Sequence, residues 1–368
     1  MASSRTPRAG LDLNDLLRYV MEQRASDLHI KVGSPPFIRI DGHLHQTPFD
    51  VVNGADTERM AFAIMPKDRA DEFITRSEAD FAHSVSGMGR FRVNVFRQRG
   101  SVGLVFRRVL PGTPSFEALG LPPVVRRLAD EPRGLILVTG PTGSGKTTTI
   151  AAMIDHINES QAVNIVTIED PIEVLHPDKK SLVNQREIGT DTEDYSQAMK
   201  RVLRQDPDVI FIGEMRDPET VWAALSAAET GHLVLSTLHT TNATETVNRI
   251  VDFFPPFQQK QVRLTLASSL RGVVSQRLLE RADGKGRVPA VEVLVMTGRI
   301  FERIVDPEST ETIEEIIGEG EYYGMQTFDQ SLFNLYKNGL VSLRDAMGVA
   351  SHPHDFRIAL QQAGLSAS

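Results

Sequence analysis

Residues 134–150 read GLILVTGPTGSGKTTTI. The first six suit a buried strand, and from Lys146 to Ile157 the apolar spacing turns helical. Between them, Gly140-Pro141-Thr142-Gly143-Ser144-Gly145-Lys146-Thr147 satisfies G-x-x-x-x-G-K-[ST]. Strand, glycine loop and helix in that order are the setting in which this motif cradles phosphates. The glycines let backbone amides close on an anion, and the helix start adds partial positive charge. Lys146 is expected to reach the β- and γ-phosphates of ATP, with the Thr147 hydroxyl on Mg2+ and Thr148 in the same first turn.

Downstream, strand-like runs at Val163–Ile168, Val209–Ile212 and Leu233–Thr237 alternate with helical patterns at Tyr195–Arg204, Glu219–Glu229 and Ala243–Val251. Alternation of this kind implies an α/β domain whose mostly parallel sheet is covered on both faces. Gln258–Leu279 reads as one long helix. Val288–Val295 adds a late strand pair turning at Asp283–Gly286, and residues 299–365 read as short helices.

Upstream, Leu13, Leu16, Leu17, Val20 and Met21 keep helical spacing behind a candidate N-cap at Asp12. Strands follow at Leu28–Val32 and Phe37–Ile40, with Asp41-Gly42 as a hairpin turn. Thr57–Met65 reads as a helix, then Arg90–Phe96 and Val102–Val109 as two strands. The division expected is a smaller α+β domain at 11–110, a proline-rich linker at 111–123, and the phosphate-binding domain at 124–368, with residues 1–10 disordered.

Three strands end in polar residues of a useful kind. In an open parallel sheet, ligands bind beyond the carboxyl ends of the strands. Val163–Ile168 runs into Glu169-Asp170, Val209–Ile212 into Gly213-Glu214, and the last into His239. Glu214 is the candidate to orient an attacking water or to hold Mg2+ through water. Gly213 stands where many such enzymes carry a metal-binding aspartate. Glu169 joins Glu214, His239 and Lys146 as a candidate catalytic group. His232, at the start of the last strand, is a second histidine candidate beside the nucleotide, with plain packing an equal alternative. Arg90, Arg92, Arg107 and Arg108 lie on the two strands before the linker, and alternation puts Arg90 and Arg92 on one face. Arginine suits the charge of a transferring phosphoryl group. A solvated strand face accounts for the same spacing equally well.

The 368 residues include no cysteine, which removes disulfides and cysteine-ligated zinc. Formal net charge is −8, against the basic face expected of a nucleic-acid binder, so no nucleic acid is expected as a partner. No apolar run is long enough to span a bilayer, and Met1–Gly10 lacks a signal core, so a cytoplasmic chain without membrane insertion is expected.

Taken together, Ser26-Asp27-Leu28-His29, GPTGSGKTTT (140–149), TIEDPIE (167–173), LVNQRE (182–187), DPDVIFIGEMRDPET (206–220) and AAETGHLVLSTLHTTNA (227–243) resemble the PilT/PilU twitching-motility ATPases of type IV pili, within the secretion ATPase superfamily. The likeness runs from about residue 11 to 360 and is densest at 134–255. It implies a PAS-like N-terminal domain, a RecA-like ATPase domain and a hexameric ring with ATP at the domain interface. It further implies that Glu214 is the Walker B glutamate, that Glu169–Glu173 form an acidic box and that His239 anchors a histidine box. Arg90, Arg92 or Arg107 would contact nucleotide. The implied seat is the inner-membrane pilus base, with a platform protein there as partner. The chain lacks the four-cysteine loop of extension and type II secretion relatives, which favours retraction. The retraction motif Ala-Ile-Arg-Asn-Leu-Ile-Arg is replaced by Gly298-Arg299-Ile300-Phe301-Glu302-Arg303-Ile304. The tail from Gly324 resembles the PilU branch, implying an accessory role beside a paralogous PilT ATPase.

Overall fold

The computed structural model describes residues 11–40 and 42–365; the segment expected to be disordered, 1–10, lies outside them. Two units separate: residues up to Pro111 with Glu173–Leu175, and the remainder.

In the first unit, α1 (Leu13–Glu22) starts where the Asp12 carboxylate accepts from the Asn14 N–H, and it buries Leu13, Leu16, Leu17 and Val20 along one face. The chain continues through β1 (Asp27–Ile30), β2 (Phe37–Ile40), β3 (His43–Gln46), α2 (Gly54–Ile64), α3 (Lys67–Arg76), β4 (Glu78–Val85), β5 (Gly89–Gln98) and β6 (Ser101–Pro111). The strands form one antiparallel order, β3-β2-β1-β6-β5-β4. Phe91, Val93 and Val95 point into a core with Phe73, Leu104 and Phe106, which leaves Arg90, Arg92 and Asn94 on the opposite face of β5. The β2–β3 hairpin pairs Ile40 with His43; of its expected turn, Asp41 lies outside the described residues. Helix α3 and strand β4 were not expected from sequence.

The second unit opens with α4 (Phe116–Leu119) and α5 (Pro123–Ala129). The segment expected as a linker thus carries a short helix, and Phe116 and Leu121 are buried in this unit's core. There follow β7 (Gly134–Thr139), α6 (Lys146–Ser160), β8 (Asn164–Glu169), β9 (Val174–Leu175), β10 (Leu182–Glu187), α7 (Tyr195–Val202), β11 (Val209–Ile212), α8 (Pro218–Glu229), β12 (Leu233–Leu238), α9 (Ala243–Asp252) and α10 (Pro256–Ser269). Strands β13 (Leu270–Glu280) and β14 (Arg287–Val295) precede α11 (Gly298–Val305), α12 (Ile313–Glu319), α13 (Phe328–Lys337), α14 (Leu343–Val349) and α15 (Pro353–Gln362). β9 belongs with the first unit, pairing in parallel with Leu110 and Pro111 of β6.

The large sheet runs β10-β8-β11-β12-β7-β13-β14, parallel except for β14. Both faces are covered. Leu135, Leu137, Val166, Ile168, Ile210 and Ile212 pack with residues of α7 to α10, while Ile136, Val138, Ile165, Phe211 and Leu235 pack with α5 and α6. The expected helix over Gln258–Leu279 is corrected: α10 stops at Ser269 and the rest is β13, pairing in parallel with β7. Between Leu270 and Gly272 the register against β7 shifts, and Gly272 packs so closely that a Cβ there would lie 2.7 Å from Leu128. Among the described residues no helix is long and apolar enough to cross a membrane.

Candidate active site at the sheet tips

Beyond Thr139 the chain turns through Gly140 at φ +142°, where a Cβ would stand 2.4 Å from the Gln276 carbonyl oxygen and 2.5 Å from Ser144 Oγ. Glycine is therefore required by space as well as by backbone angle. Gly143 and Gly145 take φ of +79° and +94°, and α6 begins directly after Gly145 with no side-chain cap on its first amides. Ser144 Oγ is buried without a partner among the described residues. Uncapped helix amides and an orphaned hydroxyl in a glycine loop make a site shaped for an anion. Lys146 Nζ folds back over the loop, donating to the carbonyls of Gly140 at 2.8 Å and Pro141 at 3.1 Å. Thr147 and Thr148 are half-buried, as is Lys146, while Thr142 is exposed with Pro141 at the loop's rim.

The floor of this loop comes from β13, which the sequence reading placed in a helix. Thr139 Oγ1 donates to Ser275 Oγ at 2.9 Å, and Gln276 Nε2 donates to Thr149 Oγ1 at 2.8 Å. Thr149 is thereby buried against β13.

Neighbouring strand tips bring Glu169, Glu214 and His239 to the same edge, because Ile212 is in register with both Ile168 and Ser236, and Leu238 with Thr139. Glu214 keeps only 15% of its side chain exposed. One carboxylate oxygen is ion-paired with Arg216, and the other accepts from His239 Nε2 at 3.2 Å. Arg216 also lies 3.8 Å from Asp170. Sequence reading passed over Arg216, although it stands two residues beyond Glu214. Burial first, then the Lys146 and Arg216 charges, hold the His239 imidazole below its ordinary pKa, so it is neutral at pH 7. Glu169 is buried, its Oε1 accepting from Thr167 Oγ1 at 2.6 Å and from Gln185 Nε2 at 3.0 Å.

The glycine at 213 has a local cause: a Cβ would meet the Tyr195 hydroxyl at 2.7 Å. Burial and the Asp170 carboxylate raise the Tyr195 pKa, so that hydroxyl stays neutral. Thr237 Oγ1 donates to the Gly213 carbonyl at 2.6 Å and pins the turn from the other side.

His232 is not brought to this edge. It precedes β12, where its carbonyl accepts from Gly134 at the start of β7, so it sits a full strand length, about 17 Å, from the loop. Its Nδ1 faces the Ala227 carbonyl at 2.9 Å, a local contact that closes the end of α8. In the first unit, Arg90 donates to Ser84 at 3.3 Å, Arg92 lies 3.7 Å from Glu173, and Arg107 donates to the buried Asp27 at 2.8 Å. Glu292 of β14 is a further group that sequence reading missed. Its carboxyl is buried, accepts from the Ala243 N–H at 2.7 Å at the start of α9, and is pushed up to about 7 by that burial.

Among the described residues no three histidine, aspartate or glutamate side chains gather into a ready metal cage. Mg2+ keeps several waters and takes one or two protein ligands beside substrate phosphates, a demand that the Thr147 hydroxyl in the first turn of α6 can meet.

A family model for type II/IV secretion system proteins matches residues 8–321. The type IV pilus retraction ATPase PilT of Pseudomonas aeruginosa is 44% identical over 346 residues, covering 94% of this chain and 100% of that one. The type IV pilus ATPase PilU of the same organism is 39% identical, covering 95% and 92%. A crystal structure of the pilus retraction motor PilT with bound ADP superposes with a TM-score of 0.86 at 46% identity, over 94% of this chain and 98% of that one. The phosphate loop, the acids at the strand tips and likeness along nearly the whole chain agree: it belongs to the type II/IV secretion system protein family, among the PilT and PilU ATPases.

Proposed function

We propose that the chain is an ATP-hydrolysing motor that powers type IV pilus retraction and twitching motility. One observation carries this reading: the Lys146 loop and the Glu214–His239–Arg216 group meet at the tips of one parallel sheet. In the reaction a water oxygen bonds to the γ-phosphorus, the bond to the ADP oxygen breaks, and phosphate leaves. Lys146 exchanges its two loop carbonyls for phosphate oxygens. Glu214, ion-paired with Arg216, orients the water and draws its proton. His239, neutral and bonded to Glu214, holds that carboxylate in place. When bound, Mg2+ neutralises charge on the β- and γ-oxygens; Thr147 would hold it, with Glu214 and Glu169 outside through water. The work of the protein is positioning and electrostatics.

Six copies in a ring, with Arg90, Arg92 or Arg107 contributing to the nucleotide site, would convert turnover into movement of a platform protein at the inner-membrane pilus base. The chain acts there from the cytoplasm as a peripheral component. Turnover of Mg–ATP is expected to fall at least about a hundredfold in both Lys146→Ala and Glu214→Gln. Rates near wild type in both would remove this mechanism.

A second reading has its own support. Gly298–Ile304, which departs from the retraction motif, makes up all of α11 but its last residue and buries only Ile300 and Ile304. The remaining side chains of that helix offer a surface unlike the retraction motif, which suits an accessory ATPase acting on a PilT-type hexamer. Pili that retract normally after the paralogous ATPase is deleted would exclude the accessory role.

A further inference from the structure

We infer that Gln185 is a positioning residue for ATP hydrolysis, because its side-chain amide ties the Glu169 carboxylate to the backbone of His176. The inference rests on the proposal that Glu169 belongs to the hydrolytic site. Gln185 stands on the edge strand β10, in register with Thr167 of β8. Its two amide atoms are used in opposite directions. Oε1 accepts from the His176 N–H at 2.9 Å, and Nε2 donates to Glu169 Oε1 at 3.0 Å. A backbone N–H can only donate, so the oxygen must face His176 and the NH2 must face the carboxylate; neither end can be exchanged.

His176 is the first residue after Glu173–Leu175, the segment that belongs to the first unit and pairs through Val174 and Leu175 with β6. The other side of the segment is held by the same strand. Glu187, two residues on and on the same face of β10, accepts from the Ile172 N–H at 3.0 Å. The His176 ring is buried, and that burial keeps it neutral with a pKa lowered to about 4. His176 thus follows Leu175 by one peptide bond, and the planar amide of Gln185 links its backbone to Glu169. Thr167 and Gln185 both donate to the same Glu169 oxygen, one from its own strand and one from the neighbouring strand.

The test uses the full-length protein. Gln185→Leu is expected to lower kcat about tenfold while KM and affinity for a fluorescent ADP analogue stay within about twofold. Gln185→Glu keeps the acceptor for His176 but faces Glu169 with a second acid, and a similar loss is expected. In a Glu169→Gln background, adding Gln185→Leu should cost less than about twofold, because the residue acts through Glu169. Wild-type turnover in Gln185→Glu, or a full tenfold further loss in the Glu169→Gln background, overturns the inference. Should Gln185→Leu fail to bind the ADP analogue, the Gln185→Glu result decides. Lys146→Ala in the same assay separates the two levels. If it turns over ATP normally, the nucleotide reading itself fails. If it is inactive while both Gln185 variants match wild type, only the role of Gln185 fails.

Discussion

A Cβ at position 213 would lie 2.7 Å from the Tyr195 hydroxyl oxygen and 3.3 Å from the Ile168 carbonyl. Any side chain at 213, a metal-binding aspartate included, would have to displace the Tyr195 hydroxyl. The acid stands one residue on, at Glu214, where Arg216 and His239 hold the carboxylate. Gly213→Ala is expected to cost about 1–3 kcal/mol in urea unfolding, and to lower turnover by displacing Glu214. Adding Tyr195→Phe removes the clashing oxygen and should restore much of both losses. If the double variant is no better than Gly213→Ala, the crowding argument is wrong. Glu214 and Lys146 could be picked out in the sequence because spacing alone places them. Arg216 and Gln185 could not, because nothing in a row of residues says that their side chains turn back toward an acid.

Helix α9 and the loop around His176 illustrate how elements are held by groups that carry or withhold charge. Glu292, buried against the first amide of α9, has its pKa raised from 4.5 to about 7. The folded chain thus holds a proton that the unfolded chain releases, and stability is lost as pH rises through about 4.5 to 7. Glu292→Gln keeps the acceptor without the charge. It should match wild type near pH 4.5 and exceed it by about 3 kcal/mol at pH 8, measured by denaturant unfolding at each pH. His176 works in the opposite sense. Its pKa is lowered from 6.5 to about 4, so its contribution is full above pH 6.5 and is lost as pH falls through about 4. A Glu292→Gln curve parallel to wild type across pH 4.5–8 would refute the charge argument. Strand β13 belongs to the same level. Its apolar spacing continues that of α10 and so reads as helix, but only pairing with β7 makes it the floor of the phosphate loop.

The molecule divides into two units, each with its own sheet and its own buried core. The groups proposed for hydrolysis lie in the second, and the Glu173–Leu175 segment, although it follows Ile172 of the second unit in the chain, belongs to the first. At the level of the cell, a strain lacking only this gene is expected to be hyperpiliated and unable to twitch if the chain is the main retraction motor. Bald cells would indicate extension instead. Surface piliation and twitching-zone diameter measure both outcomes.

Read as a string, the chain already specified a phosphate loop between a strand and a helix, an alternating α/β order, and acids at the strand ends. These are local signals, set by residue type and by periods that neighbouring residues share. It did not specify that β10 flanks β8, that β13 lies under the loop, that Tyr195 excludes a side chain at 213, or that His232 falls at the far end of the sheet. Those follow from pairing between residues far apart in the chain, where register and close packing, rather than the identity of any one residue, fix which groups meet.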